Sequence, residues 1–377
     1  YVRMLQAASG TLDLISIVHQ EPLPITRSLS LGGCSIETDA FIKRLPVTIE
    51  DCSLLDDDDP LSRLPAGVSV HPLNFADEAI GLIVVTSAAD GAFFTAGQLQ
   101  LVQAIGDFLA IAWVTNSLQD EKVRRQRVAR EIEIATSIQQ SLLPSEFPVS
   151  AHWRIGGVCR TANEVGGDYY DVIGVDDDAV LLVIADVMGK GVSAALLASI
   201  FRTAVRANAV LAANPGTLLS VVNSLLYQDL SRVDMFITAQ LALLEPSARR
   251  LSVGSAGHCP AALFEHGGAV DVLAEGGPPL GILDDQEYHS QVRPLAAGSR
   301  LVLFTDGLYE VADEQGRQMD VDEFLALLPR FWSDGPQQYC RELLAFVERF
   351  TGGAEAADDR TVVAAELTPA THNRDAG

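Results

Sequence analysis

Apolar residues in the first 117 positions come in short runs separated by turn-forming clusters. Ser69–Leu73 and Ala79–Ser87 read as strands and Ala88–Gly91 as a loop, while the opening residues from Tyr1 carry a helix-like pattern. From Thr95 the period changes. Leu99, Val102, Ile105, Leu109 and Ala112 recur by threes and fours, which predicts a helix with Thr95 as its N-cap. No proline occurs from Gln98 to Leu143, so this stretch is one long helix or two in series, stopped by Pro144. Its second half carries Val128, Ile132, Ala135, Ile138 and Leu142, close to a heptad seam. Lys122, Arg124, Arg125, Arg127 and Arg130, with Glu121, Glu131 and Glu133 as neighbours, read as a solvated helix face.

After residue 150 the runs lengthen. Val180–Ala185, Met235–Leu244, Leu251–Ser255, Pro260–Phe264, Leu301–Thr305 and Thr361–Leu367 read as strands, with helices near 192–213, 216–230, 320–328 and 337–350. Strand runs interrupted by helix pairs predict an α+β layered sandwich rather than a regular βαβ fold. The expected organisation is a sensor-type domain over 1–117, a helical connector over 118–147, a second domain over 148–368 and a polar, disordered tail over 369–377.

The chain has 377 residues, more than one typical core, and a net charge of −24. Such acidity repels nucleic-acid phosphates and anionic membranes, so neither is an expected partner. No apolar run approaches the ~18 residues of a membrane span. Cys34, Cys52, Cys159, Cys259 and Cys340 form no CxxC pair, which fits a reduced, cytoplasmic setting. The chain opens at Tyr1 rather than Met, which leaves room for residues upstream. The Asp56–Asp59 run, followed by Pro60, lacks the alternating ligands of a calcium loop and reads as a solvated loop.

The informative aspartates sit at the ends of apolar strands or beside glycines. Asp168 follows Gly166-Gly167. Asp186 ends the 180–185 run and precedes Val187-Met188-Gly189-Lys190-Gly191. Asp306 precedes Gly307, and Asp358-Asp359 precede the last strand. Converging carboxylates repel one another unless divalent cations lie between them. An all-oxygen ligand set favours Mg²⁺ or Mn²⁺ over Zn²⁺. Two such ions ~3.5–4 Å apart can activate a water and clamp a phosphoryl oxygen.

These residues also carry a resemblance. Thr161-Ala162-Asn163-Glu164-Val165-Gly166-Gly167-Asp168-Tyr169-Tyr170-Asp171 resembles the first motif of SpoIIE-like serine/threonine phosphatases of the type-2C (PPM) class. Asp186–Gly191 with Ser193-Ala194-Ala195, Ala256-Gly257-His258, Pro279-Leu280-Gly281, Thr305–Glu310 and Asp358-Asp359-Arg360-Thr361 follow in that family's order, and Ile138–Pro144 resembles its helical lead-in. The resemblance covers roughly residues 130–367. It implies an α-β-β-α sandwich with two divalent cations, Mn²⁺ or Mg²⁺, at one end. Asp186 would bridge them with the Val187 carbonyl as a further ligand. Asp306 and Asp358 would hold the first ion, and Asp168 would act through metal-bound water. Asp359 is an alternative to Asp358, since adjacent aspartates cannot be separated by sequence. Asp168, Asp186 and Asp306 are the candidate catalytic residues. The family's usual Ser after Asp-Val is Met188 here and its usual Pro before Ala162 is Thr161; neither is a proposed ligand.

The other candidates have plainer readings. His258 is a turn histidine or a general acid, Cys259 a small buried residue, Gly189-Lys190-Gly191 a tight helix entry or a phosphate cradle, and Asp176–Asp178 a hairpin turn. Val70–Leu73, Ile80–Val85 and Phe94-Thr95 resemble a GAF domain, for which no ligand residue is carried over, Cys34 and Cys52 included. Together these features imply a protein phosphatase acting on a phosphorylated regulatory protein, by analogy an anti-sigma-factor antagonist. The GAF-like domain would regulate it, through a homodimer formed by the connector helix. The rivals are a catalytically silent scaffold and a GAF-driven ligand sensor.

Overall fold

The computed structural model describes every residue except 7–10, 18–26, 65–66, 88–93, 177, 266–267, 333 and 369–377. The expected loop at Ala88–Gly91 and the tail over 369–377 lie outside the described residues. The chain divides into two compact units, Tyr1–Val128 and Ala129–Gly377.

In the first unit, β1 (Val2–Gln6), β2 (Thr11–Ser16), β3 (Ser28–Ser30), β4 (Val47–Ile49), β5 (Val68–Phe75) and β6 (Glu78–Thr86) form one antiparallel sheet in the order β3-β2-β1-β6-β5-β4. The helix-like opening is therefore a strand: pairing with β2 and β6 overrides the weak local pattern. Val68, Val70, Leu82 and Val84 face a core shared with Leu12, Leu61 and Phe41 of α1 (Ile36–Lys43). Asp59 is buried rather than solvated, its two oxygens accepting from the Ile36 and Leu61 amides at 2.9 Å each. It staples the loop to the start of α1.

The next helix, α2 (Ala96–Leu142), is continuous over 47 residues and crosses the division between the units. Thr95 caps it reciprocally with Gln98. Its buried positions are Gly106 and Ala110, with Met4 and Leu73 packed against Ala110; Ile105 and Ala112, expected on that face, are exposed. Small residues allow close approach to the sheet: a Cβ on Gly106 would stand 3.2 Å from Leu73. Leu101, Phe108, Ile111 and Leu118 are left exposed. An 18-residue window of α2 has mean hydropathy 1.3, so by length and composition this helix could cross a membrane. Uninterrupted apolar runs in it stay short, since Gln103, Asp107 and Asn116 break them, and the mean is carried by the aliphatic residues between. In the expected seam, Val128 and Ile138 are exposed, whereas Ile132, Ala135 and Leu142 are half-buried.

The second unit contains β7 (Trp153–Arg160), β8 (Tyr169–Gly174), β9 (Val180–Val187), β10 (Ile237–Glu245), β11 (Arg250–Ala256), β12 (Ala261–Phe264), β13 (Asp271–Leu273), β14 (Ser290–Pro294), β15 (Arg300–Phe304) and β16 (Arg360–Leu367). They form two five-stranded antiparallel sheets, β14-β11-β10-β9-β8 and β13-β12-β15-β16-β7. The continuous apolar run of β9 has a simple cause. Val180, Leu182 and Ile184 face the other sheet with Tyr170, Leu303 and Val363, while Leu181, Val183 and Ala185 face α3 (Val192–Ala207) and α4 (Pro215–Arg232). Val302, Phe304, Val362 and Ala364 bury the outer face of the second sheet under α5 (Val321–Leu327) and α6 (Pro336–Phe350). The result is four layers, α-β-β-α. The helix expected over 192–213 ends at Ala207, where Asn208 caps it by donating to the Ala204 carbonyl at 2.8 Å, and Pro215 then opens α4 with Asn214 as its cap. Asp176 accepts from the Asp178 and Ala179 amides in the β8–β9 hairpin.

Candidate metal centre

Four chain segments open at one end of the sandwich, where the two sheets part. Asp186 and Val187 close β9, Gly166-Gly167-Asp168 lead into β8, Asp306 begins a single 3-10 turn after β15, and Asp358-Asp359 lead into β16. The aspartates are near enough to act on one another. Asp186 feels the charges of Asp306, Asp358 and Asp359, and Asp168 those of Asp186 and Asp359.

Their surroundings differ. Asp168 is buried, and one of its oxygens accepts from Thr305 Oγ1 at 2.8 Å and Thr361 Oγ1 at 2.6 Å. Asp359 is also buried, and its carboxylate is spent on backbone: Ala162 N donates to Oδ1 at 2.8 Å, while Gly167 N at 2.7 Å and Asp168 N at 3.3 Å donate to Oδ2. Asp358 is half exposed and lies 3.3 Å from Lys190 Nζ, which also donates to the Ala357 carbonyl. The glycines are required by space. A Cβ on Gly167 would stand 2.6 Å from the Val187 carbonyl oxygen and 3.3 Å from Asp186, and one on Gly166 would collide with Asp359.

Burial raises the pKa of Asp168 well above the ordinary carboxylate range, with Asp186 adding to it. Burial, then Asp306, Asp358 and Asp359, lift Asp186 to about 7, with Lys190 opposing. Asp306 is raised by burial and by Glu310 and Asp358. This is an excess of negative charge with one lysine against it. Among the described residues, no three His, Cys, Asp or Glu side chains close on a single point. The donors are nonetheless all oxygen, the carboxylates are raised by mutual repulsion, and Gly167 leaves the Val187 carbonyl open. That set suits a hard divalent cation.

Beside it lies a cleft of about 260 Å³ lined by Asp186, Thr238, His258, Cys259, Asp306 and Tyr309. Thr238 Oγ1 is 2.8 Å from His258 Nδ1, and burial lowers the His258 pKa to about 4, so the imidazole is neutral. Cys259 Sγ lies 3.6 Å from the Tyr309 hydroxyl, and burial lifts its thiol to about 12, far from a reactive thiolate. Sequence reasoning missed Thr305 and Thr361, although each flanks a chosen aspartate. It also missed the pairing of Lys190 with Asp358. Gly191 begins α3 with no side-chain cap, and Lys190 turns to the aspartates.

Residues 176–368, just over half of the chain, match the family model for stage II sporulation protein E. The chain belongs to the SpoIIE family. It is 32% identical over 193 residues to the phosphoserine phosphatase RsbU of Bacillus subtilis (strain 168), a match covering 51% of this chain and 57% of that protein. It is 27% identical over 184 residues to the phosphoserine phosphatase RsbP of the same organism, covering 48% and 45%. The chain thus spans about half the length of the curated relatives it matches. Among solved structures, the SiaA-PP2C domain of Pseudomonas aeruginosa superposes with a TM-score of 0.58 at 23% identity, over 65% of this chain and 98% of that one. The RsbU and RsbW domains of Rv1364c from Mycobacterium tuberculosis give a TM-score of 0.52 at 26% identity, over 60% and 63%. The SpoIIE-family unit thus has a PP2C phosphatase-like fold.

Proposed function

We propose that this chain is a metal-dependent protein serine/threonine phosphatase that hydrolyses a phosphoserine or phosphothreonine on a regulatory protein. The observation that carries the reading is the gathering of Asp168, Asp186, Asp306 and Asp358 at one end of the sandwich, where burial first and neighbouring carboxylates second raise the pKa values of Asp168, Asp186 and Asp306. Divalent ions, Mn²⁺ or Mg²⁺, would supply charge neutralisation at the phosphoryl oxygens and a more acidic water. Asp186, the Val187 carbonyl, Asp306 and Asp358 would hold them. Asp168 stays fixed by its two threonines and orients water at the ligand shell. Asp358 is preferred over Asp359 as ligand because the oxygens of Asp359 already serve backbone amides. The cleft of about 260 Å³ beside the aspartates is where the phosphorylated side chain would enter, and the likeness to the phosphoserine phosphatases RsbU and RsbP favours a phosphoserine, with an anti-sigma-factor antagonist the proposed carrier.

The first unit is proposed to be a GAF-like regulatory domain, and α2 to pair with its copy in a homodimer. The exposed Leu101, Phe108, Ile111 and Leu118, spaced by seven, three and seven, support that pairing better than the half-buried Ile132 and Leu142. Phosphate release from a phosphorylated antagonist protein, with Mn²⁺ and with EDTA, tests the activity. Full release in EDTA sinks the metal-dependent reading. A catalytically silent scaffold is the second reading, favoured by Lys190, whose ammonium already neutralises Asp358. Calorimetry showing no Mn²⁺ binding would decide for it.

A further inference from the structure

We infer that Gln139 is a positioning residue for the acidic cleft, acting through the Gly166 peptide groups; the inference rests on the metal-dependent reading above. Gln139 lies on the part of α2 that belongs to the second unit. Its Nε2 donates to the Gly166 carbonyl at 2.7 Å, and the Gly166 amide donates to its Oε1 at 3.1 Å. One carboxamide therefore satisfies both backbone groups of a residue that lies outside any strand and has no ladder partner. One turn earlier on the same helix face, Thr136 Oγ1 donates to the Glu164 carbonyl at 2.7 Å.

Gln139 is half-buried at this contact. A cleft of about 270 Å³, lined by Thr136, Gln139, Gln140, Arg160, Thr161 and Glu164 among others, opens beside it. The helix grips the loop by hydrogen bonds across a gap. What the loop carries gives the grip its consequence. The next two amides, Gly167 N and Asp168 N, both donate to Asp359 Oδ2, and Gly166 itself has no room for a Cβ against that oxygen. Asp168 faces Asp186, and Gly167 lies against the Val187 carbonyl. Releasing Gly166 frees the segment that sets the spacing of Asp168, Asp186 and the Val187 carbonyl. Only a group with a donor and an acceptor at the length of glutamine makes both bonds. A glutamate at 139 would turn a carboxylate oxygen toward the Gly166 carbonyl, and methionine would offer neither bond.

The test is titration calorimetry of the whole 377-residue chain with Mn²⁺ alone, beside thermal unfolding of the metal-free protein. Gln139→Met, which keeps length and helix propensity, is expected to bind Mn²⁺ about tenfold more weakly, a loss larger than its drop in metal-free stability accounts for. Gln139→Glu is expected to weaken binding at least as much. Gln140→Ala, which lines the same cleft, should bind as the parent does. Parental Mn²⁺ affinity in Gln139→Met overturns the inference. So does a loss of affinity in Gln139→Met and Gln139→Glu that tracks an equal loss of metal-free stability, since that marks a structural role only. If the parent itself binds no Mn²⁺, the metal-dependent reading fails, and this inference with it.

Discussion

Both units pair a buried carboxylate with an arginine, and the second also gathers carboxylates that have none. In the first unit Glu37 is fully buried, and Arg3 Nε, equally buried, donates to it at 2.7 Å, with the Tyr1 hydroxyl donating to the same oxygen at 2.9 Å. In the second unit Asp171 is handled likewise: Arg206 from α3 makes a two-pronged pair with it at 2.6 and 2.7 Å. Asp168, Asp186 and Asp306 lie in the same unit with no arginine, their charges facing one another. A buried acid with a cation belongs to the architecture. A group of acids without one destabilises the fold that holds it, and such an arrangement makes sense where a cation arrives from solution.

The sharpest way to break this comparison is Asp186→Asn. Turnover should fall at least about a thousandfold, about 4 kcal/mol in barrier, while the metal-free fold is not weakened. Near-parental phosphate release would mean that Asp186 is not the bridging ligand. The mirror experiment is Arg3→Met. It leaves Glu37 buried with the Tyr1 hydroxyl but without its cation, and should cost about 3 kcal/mol in a urea melt of the first unit. An unchanged melt would show that the pair is not structural.

Next comes the pair that sequence could not separate. Asp359→Asn removes a charge that three backbone amides share, and should lower stability by about 2 kcal/mol even without metal. Asp358→Asn should leave metal-free stability unchanged and weaken Mn²⁺ binding measured by calorimetry. The opposite pattern would exchange their roles. Smallest is a pH effect. The folded pKa of Asp186 is raised to about 7, so the folded state holds its proton more tightly than the unfolded chain does. That contribution is fully present below the unfolded carboxylate pKa and is lost as pH rises through about 7. Metal-free protein should therefore lose on the order of 1–2 kcal/mol from this group between acid and neutral pH, after allowance for solvent screening, and Asp186→Asn should flatten that slope. A thermal-shift series across pH with EDTA present measures it.

Sequence alone located the chosen aspartates, because each lies at the end of an apolar run or beside a glycine, and both are local signals. It likewise gave Thr95 as the N-cap, the proline stop after α2 and the long strands of the sandwich, whose continuous apolar character follows from burial on both faces. It misread the residues after Tyr1 as helical, since a short strand gains its identity only from β2 and β6 on either side of it. It placed Ile105 rather than Gly106 and Ala110 on the buried face of α2, because periodicity records hydrophobicity and not how closely a helix can approach a sheet. It could not part Asp358 from Asp359, nor see Lys190, Thr305, Thr361 and Gln139 around them. Those roles depend on which oxygen meets which donor across 27 to 197 residues of separation. Spacing along the chain carries no such information, and only the packing of two sheets and one helix end supplies it.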